Sequence, residues 1–278
     1  RTLKKIIEIN GQGLFSAVPV CLRLLPAPVN HGIVFCRKDL TGQPLVPVNV
    51  ANVIETPNCT SLGLKDAQVQ TVEHFLSVLH VLGIDNLLVE INGPELPIGD
   101  GSASIFAQAL EKAPFEEQRG LQPALTFSQP FAFSSGHIHL VALPDSDFKI
   151  SYTLAYPESK LLSAQYYTFT VTKENYFKEI ASSRTFARYE DIKVLLANGF
   201  LRGGGLQNAV LIKDEKILNP EGLRYQNEMV RHKILDLIGD LALLGKDLHA
   251  HIIAIRSGHL SNVLFAKKIL EQLTFERV

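Results

Sequence analysis

The chain has few cysteines, almost no net charge, no long apolar run and no complete glycine-rich nucleotide fingerprint. Its cysteines, Cys21, Cys36 and Cys59, are odd in number, and none stands in a C-x-x-C pair. That argues against a disulfide framework and for a reducing, cytoplasmic setting, with each cysteine read as a small buried hydrophobe. A formal charge of -1 lacks the basic excess of a general nucleic-acid binder, so no nucleic-acid partner is expected. No stretch approaches the ~20 apolar residues of a membrane span, and no secretory leader pattern is present. Gly11-Gln12-Gly13-Leu14 reads as a turn, because the nucleotide fingerprint is incomplete and no helix follows.

What is present is a core-forming chain. Of 278 residues, 46% are hydrophobic and 20% charged, which suits a packed protein of two domains rather than a disordered one. Residues 223–245 form the organising stretch. Val230, Ile234, Leu237, Leu241 and Leu244 recur at steps of four and three, the stripe of an amphipathic helix, and Gly245 is a stop signal. His232, Asp236 and Asp240 follow at i, i+4 and i+8, so they share one face. Such a face is often no more than a solvated surface. A His and an Asp one turn apart also suit a metal ion, but a catalytic zinc site takes three protein ligands plus water. His74, in TVEHFLSVLHVLG (71–83), is the best candidate for the third. His80, six residues on, points to the other side of that helix and is set aside. His137, His139, His249 and His251 read as exposed strand residues.

In chain order, strands are expected at 3–9, 18–25, 32–37 and 45–53, followed by a polar loop over 52–64. Thr71 would cap a helix to Leu82; a strand follows at 87–91, and Ser102 would cap a helix to about Lys112. The charged run Glu111–Arg119 reads as a linker. Strands at 124–134, 137–143, 148–156 and 164–171 come next. Thr172 would cap a helix over 173–181, and a short helix covers 189–197. A glycine turn (202–205) and a strand pair (208–213, 216–219) precede the organising helix. A strand at 251–256 and a helix at about 261–273 end the chain. Both halves run strands, helix, strand, helix. This predicts an α+β fold of two similar domains from an internal duplication, residues 1–117 and 121–278, with helices meeting at the domain interface where pockets are common.

Several stretches together resemble successive motifs of one family. They are Thr71-Val72-Glu73-His74, PELPIGDGSA (94–103), Arg184-Thr185-Phe186, LRGGGLQNA (201–209), VRHKILDLIGD (230–240) and Ser257-Gly258-His259. The family is the zinc-dependent UDP-3-O-acyl-N-acetylglucosamine deacetylase of lipid A biosynthesis in Gram-negative bacteria. The resemblance implies two α+β domains with helices sandwiched between two outer sheets. It implies one zinc ion, held by His74, His232 and Asp236, with Glu73 as general base and His259 as general acid oriented by Asp240. Lys233 then lies near the substrate, the Thr185 hydroxyl helps stabilise the oxyanion, and Phe186 stands by the acyl passage that residues 200–219 form. The substrate would be the acylated UDP-sugar, met near the inner membrane leaflet by a cytoplasmic, monomeric enzyme.

The chain departs from the family where a histidine and a glycine are usual: Phe15 and Ala17 stand there, and Ala187 replaces a common glycine. Two other readings of the residues stay open. One is a metal-dependent hydrolase of another amide or a phosphoester. The other is a sugar-nucleotide or lipid binder with a decayed site.

Overall fold

The computed structural model describes residues 1–55, 58–120 and 124–275. Two main sheets have the same strand order. In the first, the spatial order is Ile7–Gln12, Pro19–Pro26, Leu87–Ile91, Ile33–Arg37, Leu45–Pro47. In the second it is Phe131–Ser135, Ile138–Pro144, Leu248–Ile255, Phe148–Ala155, Ala164–Thr170. In each, the strand latest in sequence enters the middle, antiparallel to one neighbour and parallel to the other. A parallel pair needs a crossover, and helices supply it in both sheets. The α+β class and the repeated topology therefore hold.

Among the described residues six α-helices accompany the sheets: α1 (Glu73–Val81), α2 (Ser104–Leu110), α3 (Lys173–Glu179), α4 (Tyr189–Ala197), α5 (Glu228–Ala242) and α6 (His259–Phe275). Every member of the predicted stripe on α5 is buried, and so are His232, Asp236 and Asp240. The solvated-face reading of α5 fails because the helix is covered all round: α1, α6 and the strands Phe148–Ala155 and Ala164–Thr170 pack on it. On its other side α1 meets the first sheet, with Phe75 against Phe35 at 6.2 Å between ring centres. The α1–α5 crossing is unusually close at Gly239, where a Cβ would lie 2.0 Å from the Glu73 carbonyl oxygen. Glycine there lets the two helices bring Glu73, His74, His232 and Asp236 together. No helix among the described residues is long and apolar enough to cross a membrane.

The structure corrects several local expectations. Thr71 is not the cap of α1: Val72 occupies that position without a side-chain bond, and Thr71 sits at φ 59. Ser102 likewise is not the N-cap of α2, which starts two residues later, although its hydroxyl does accept the Ser104 N–H at 3.1 Å. Thr172 does cap α3, accepting from Asn175 N at 3.2 Å. The strand expected over 3–9 is two pieces, and the first, Thr2–Leu3, pairs with Phe115–Glu116 inside the expected linker. Gly11 and Gln12 belong to a strand rather than a turn. The 45–53 strand breaks at Pro47, and the loop expected over 52–64 ends in the strand Ser61–Leu64, which pairs with Ala67–Val69 just beyond it. A proline removes a ladder donor, and the Gly63 inside the hairpin strand weakens its sequence signal. α5 starts five residues later than expected and α6 two residues earlier, with His259 as its first residue. Thr56, Pro57 and the boundary at 121 lie outside the described residues.

Candidate metal centre and active site

The Nε2 atoms of His74 and His232 lie 3.6 Å and 3.3 Å from Asp236 Oδ1. One ligand atom from each of the three residues falls within 4.8 Å of the others, so the group could hold a metal ion. His232 Nδ1 donates to the Ser183 carbonyl at 3.0 Å, which leaves Nε2 with its lone pair toward the centre. Burial pushes the His232 imidazole down to about 3, so it is neutral as a ligand must be. Burial alone would raise Asp236, but His232, Lys233 and His259 hold it well below the usual carboxylate range. Its Oδ2 accepts from Lys233 Nζ at 2.7 Å, whereas the buried Oδ1 has no hydrogen-bond partner among the described residues. A buried charged oxygen without a donor is costly, and a cation between the two imidazoles removes that cost. The donor set, two imidazoles and one carboxylate, fits a catalytic zinc site.

Glu73 and His259 flank this centre. His259 Nε2 is 3.9 Å from both Glu73 Oε1 and Asp236 Oδ2, and its Nδ1 meets Asp240 Oδ2 at 3.0 Å. Burial raises Glu73, only partly offset by His259 and His74. Burial would lower His259, but the Asp240, Asp236 and Glu73 carboxylates outweigh it and lift the imidazole to about 9. The site therefore sets an imidazolium beside a carboxyl group whose affinity for a proton burial has raised, an acid beside a group suited to act as a base. Lys233 is half-buried, and Asp236 keeps its ammonium above the ordinary range.

These groups line a cavity of about 550 Å³, which also reaches Thr185, Phe186 and Arg256. Arg256 makes no ion pair with another described residue, and sequence reasoning passed over it. A second, apolar cavity of about 220 Å³ adjoins the first. Leu14, Phe15, Asn58, Thr185 and Phe186 line both, so they form the threshold between them. The apolar cavity is lined by Ile192, Leu195 and Leu196 of α4 with Leu201 and Leu211. It thus starts earlier in sequence than the 200–219 segment expected for a passage.

Buried polar bonds hold the segment before Phe186. Arg184, fully buried, donates from Nε to Glu228 Oε1 at 2.8 Å and from Nη2 to the Gly222 carbonyl at 2.7 Å. Thr185 N donates to Gly101 O at 2.7 Å; a Cβ on Gly101 would lie 2.0 Å from Asn208 O. The loop carrying Phe15 is pinned by Glu95, whose carboxylate accepts from Phe15 N, Ser16 N and Ser16 Oγ at 2.9, 3.0 and 2.8 Å. Ala17 in this loop adopts φ 58. That left-handed backbone explains why glycine suits the position, since a Cβ there costs about 1 kcal/mol or more. Ala17→Gly should therefore stabilise the fold by roughly 0.5–1 kcal/mol, raising Tm by about 2 °C in a thermal melt; a lower Tm would contradict the assignment of strain.

The other histidines and the cysteines have quieter roles. His80 stands edge-on to Phe148 at 5.7 Å, away from the centre. His137 and His139 are exposed as expected, but His251 is half-buried and bonded to Ser151 Oγ at 2.8 Å. Cys36 and Cys59 are buried, whereas Cys21 is only partly so. Cys59 borders the site cavity, yet burial pushes its thiol up to about 12, which keeps it neutral and inert.

Comparison with known proteins agrees with this geometry. Residues 1–271 match the model of a family described as UDP-3-O-acyl N-acetylglycosamine deacetylase. Relatives named UDP-3-O-acyl-N-acetylglucosamine deacetylase include one from Chlamydia caviae, 44% identical over 98% of this chain and 97% of its own. One from Chlamydia muridarum is 42% identical over 100% and 96%. One from Syntrophus aciditrophicus is 40% identical over 98% and 86%. The chain belongs to the UDP-3-O-acyl-N-acetylglucosamine deacetylase family.

Proposed function

We propose that this chain hydrolyses the N-acetyl group of UDP-3-O-(3-hydroxyacyl)-N-acetylglucosamine, an early step of lipid A biosynthesis, with zinc held by His74, His232 and Asp236. The observation that carries this is the buried, partnerless Asp236 Oδ1 between two imidazoles, set beside the buried Glu73 carboxyl group and His259. Zinc, when bound, supplies Lewis acidity and brings the pKa of a coordinated water to roughly 7. Glu73 takes the proton of the attacking water. The Thr185 hydroxyl donates to the oxyanion that forms from the acetyl carbonyl, in a site where charge is already arranged. His259 protonates the leaving nitrogen, and Asp240 holds that imidazole in position through Nδ1. Lys233 keeps Asp236 anchored and, with Arg256, offers the positive charge that a diphosphate needs.

The apolar cavity suits the acyl chain, which would cross the threshold at Phe15 and Phe186. Each buried methylene contributes about 0.8 kcal/mol. Shortening the acyl chain by two methylenes should thus lower kcat/KM roughly tenfold, read as acetate release from a substrate series. Equal kcat/KM for acylated and unacylated UDP-sugar would refute the passage. Every proposed group comes from one chain, in line with a monomeric, cytoplasmic enzyme meeting its substrate at the inner leaflet. We also propose the domain division at residues 117 and 121, supported by the repeated strand order of the two sheets.

A further inference from the structure

The acid and base arms of the site are joined by a residue that sequence motifs did not point to. Thr60 is fully buried, and all three of its hydrogen-bonding groups are engaged. Its N–H donates to Glu73 Oε2 at 3.0 Å, its hydroxyl donates to Asp240 Oδ1 at 2.5 Å, and its carbonyl accepts from Val72 N at 3.3 Å. Asp240 therefore receives three donors: Thr60 Oγ1 on one oxygen, and Asn262 Nδ2 at 2.8 Å and His259 Nδ1 at 3.0 Å on the other. The N–H bond leaves Glu73 Oε1 as the oxygen that faces His259. Thr60 and Asp240 are 180 residues apart, so this bond ties the start of α1 to the far turn of α5.

We propose that Thr60 is a positioning residue for the reaction: its hydroxyl fixes the rotamer of Asp240, and through it the His259 ring, while its N–H fixes the orientation of Glu73. The inference rests on the acid and base roles proposed above. The physical reason is directional. An ionised carboxylate with one oxygen unsatisfied can rotate about its terminal torsion, which has a broad well. A donor on each oxygen stops that rotation, and a hydrogen bond to a charged group is among the stronger ones. The main-chain bond to Glu73 survives any side chain at position 60, so substitution isolates the Asp240 arm.

The test is Thr60→Val, which keeps the shape and removes the hydroxyl, set against Thr60→Ser, which keeps it. Thr60→Val should lower kcat roughly 10- to 100-fold, the loss expected for one hydrogen bond to a charged group, with KM and metal content unchanged. Thr60→Ser should restore most of that loss. A kcat within twofold of wild type in Thr60→Val, or an equal loss in Thr60→Ser, would overturn the proposal. The His259 Nδ1–H proton signal, assigned by its absence in His259→Gln, gives a readout independent of turnover. It should broaden or shift in Thr60→Val and persist in Thr60→Ser; an unchanged signal in Thr60→Val overturns the proposal. If wild type releases no acetate, the reaction assigned above fails while this signal still decides the role of Thr60. Should Thr60→Val not fold, Thr60→Ala is compared with Thr60→Ser by the same criteria.

Discussion

Glu73→Gln should reduce kcat by roughly 10² to 10⁴, the range for removing a positioned general base, while leaving one metal ion per chain. The amide keeps the size of the carboxylate and still accepts from Thr60 N, so the α1–α5 crossing is preserved. What is lost is the ability to take a proton. The pH dependence should change with it. Glu73 must be ionised to act, and burial lifts it above the ordinary glutamate range, so wild-type activity rises with pH on the acid side. His259 must be protonated to act and holds its proton to about 9, so activity falls on the alkaline side. Loading the site with a dication lowers the proton affinity of both groups, which moves the alkaline limb to that value or below it. The expected profile is a bell, measured as kcat/KM against pH. A flat profile from about pH 5 to about pH 9 would remove the two-group scheme. So would a Glu73→Gln variant with more than a tenth of wild-type kcat.

Asp236→Ala should be the other severe change. It deletes one of the three donors and the anchor of Lys233, whose half-buried ammonium would then lack its counter-ion. Metal content should fall well below one per chain, and kcat should drop about 10³-fold or more, since a catalytic metal supplies several kcal/mol of charge stabilisation. Asp236→Asn separates the two effects, because it keeps the volume and one oxygen. A full equivalent of metal in Asp236→Ala, with kcat within tenfold of wild type, would mean that the ion is held elsewhere.

The parts of this site that could be read in the sequence are those on one helix. A stripe at Val230, Ile234, Leu237 and Leu241 has the helical period, and the i, i+4 spacing of His232 and Asp236 follows from it. The residues alone offer His74 only as a candidate third ligand, and the roles of Glu73, His259 and Thr185 rest on the family resemblance, since no local pattern joins residues so far apart in sequence. Thr60 and Asn262 were invisible for the same reason: their partner Asp240 becomes a neighbour only after folding. Thr71 misled because a threonine before a helix usually caps it, whereas here a left-handed turn at Thr71 leads the chain into α1 without a side-chain cap. The burial of α5 on all faces could not be read either. Its polar residues have the pattern of a solvated side, and only the packing of two helices and one sheet around it shows that those charges are interior.

The most direct test of the account is a zinc titration of chelator-treated protein, followed by acetate release from UDP-3-O-(3-hydroxyacyl)-N-acetylglucosamine. The metal-free chain should release no acetate, and activity should climb with added zinc to a maximum at one equivalent. Undiminished release from the metal-free chain, or none at any zinc level with the substrate recovered intact, would contradict it.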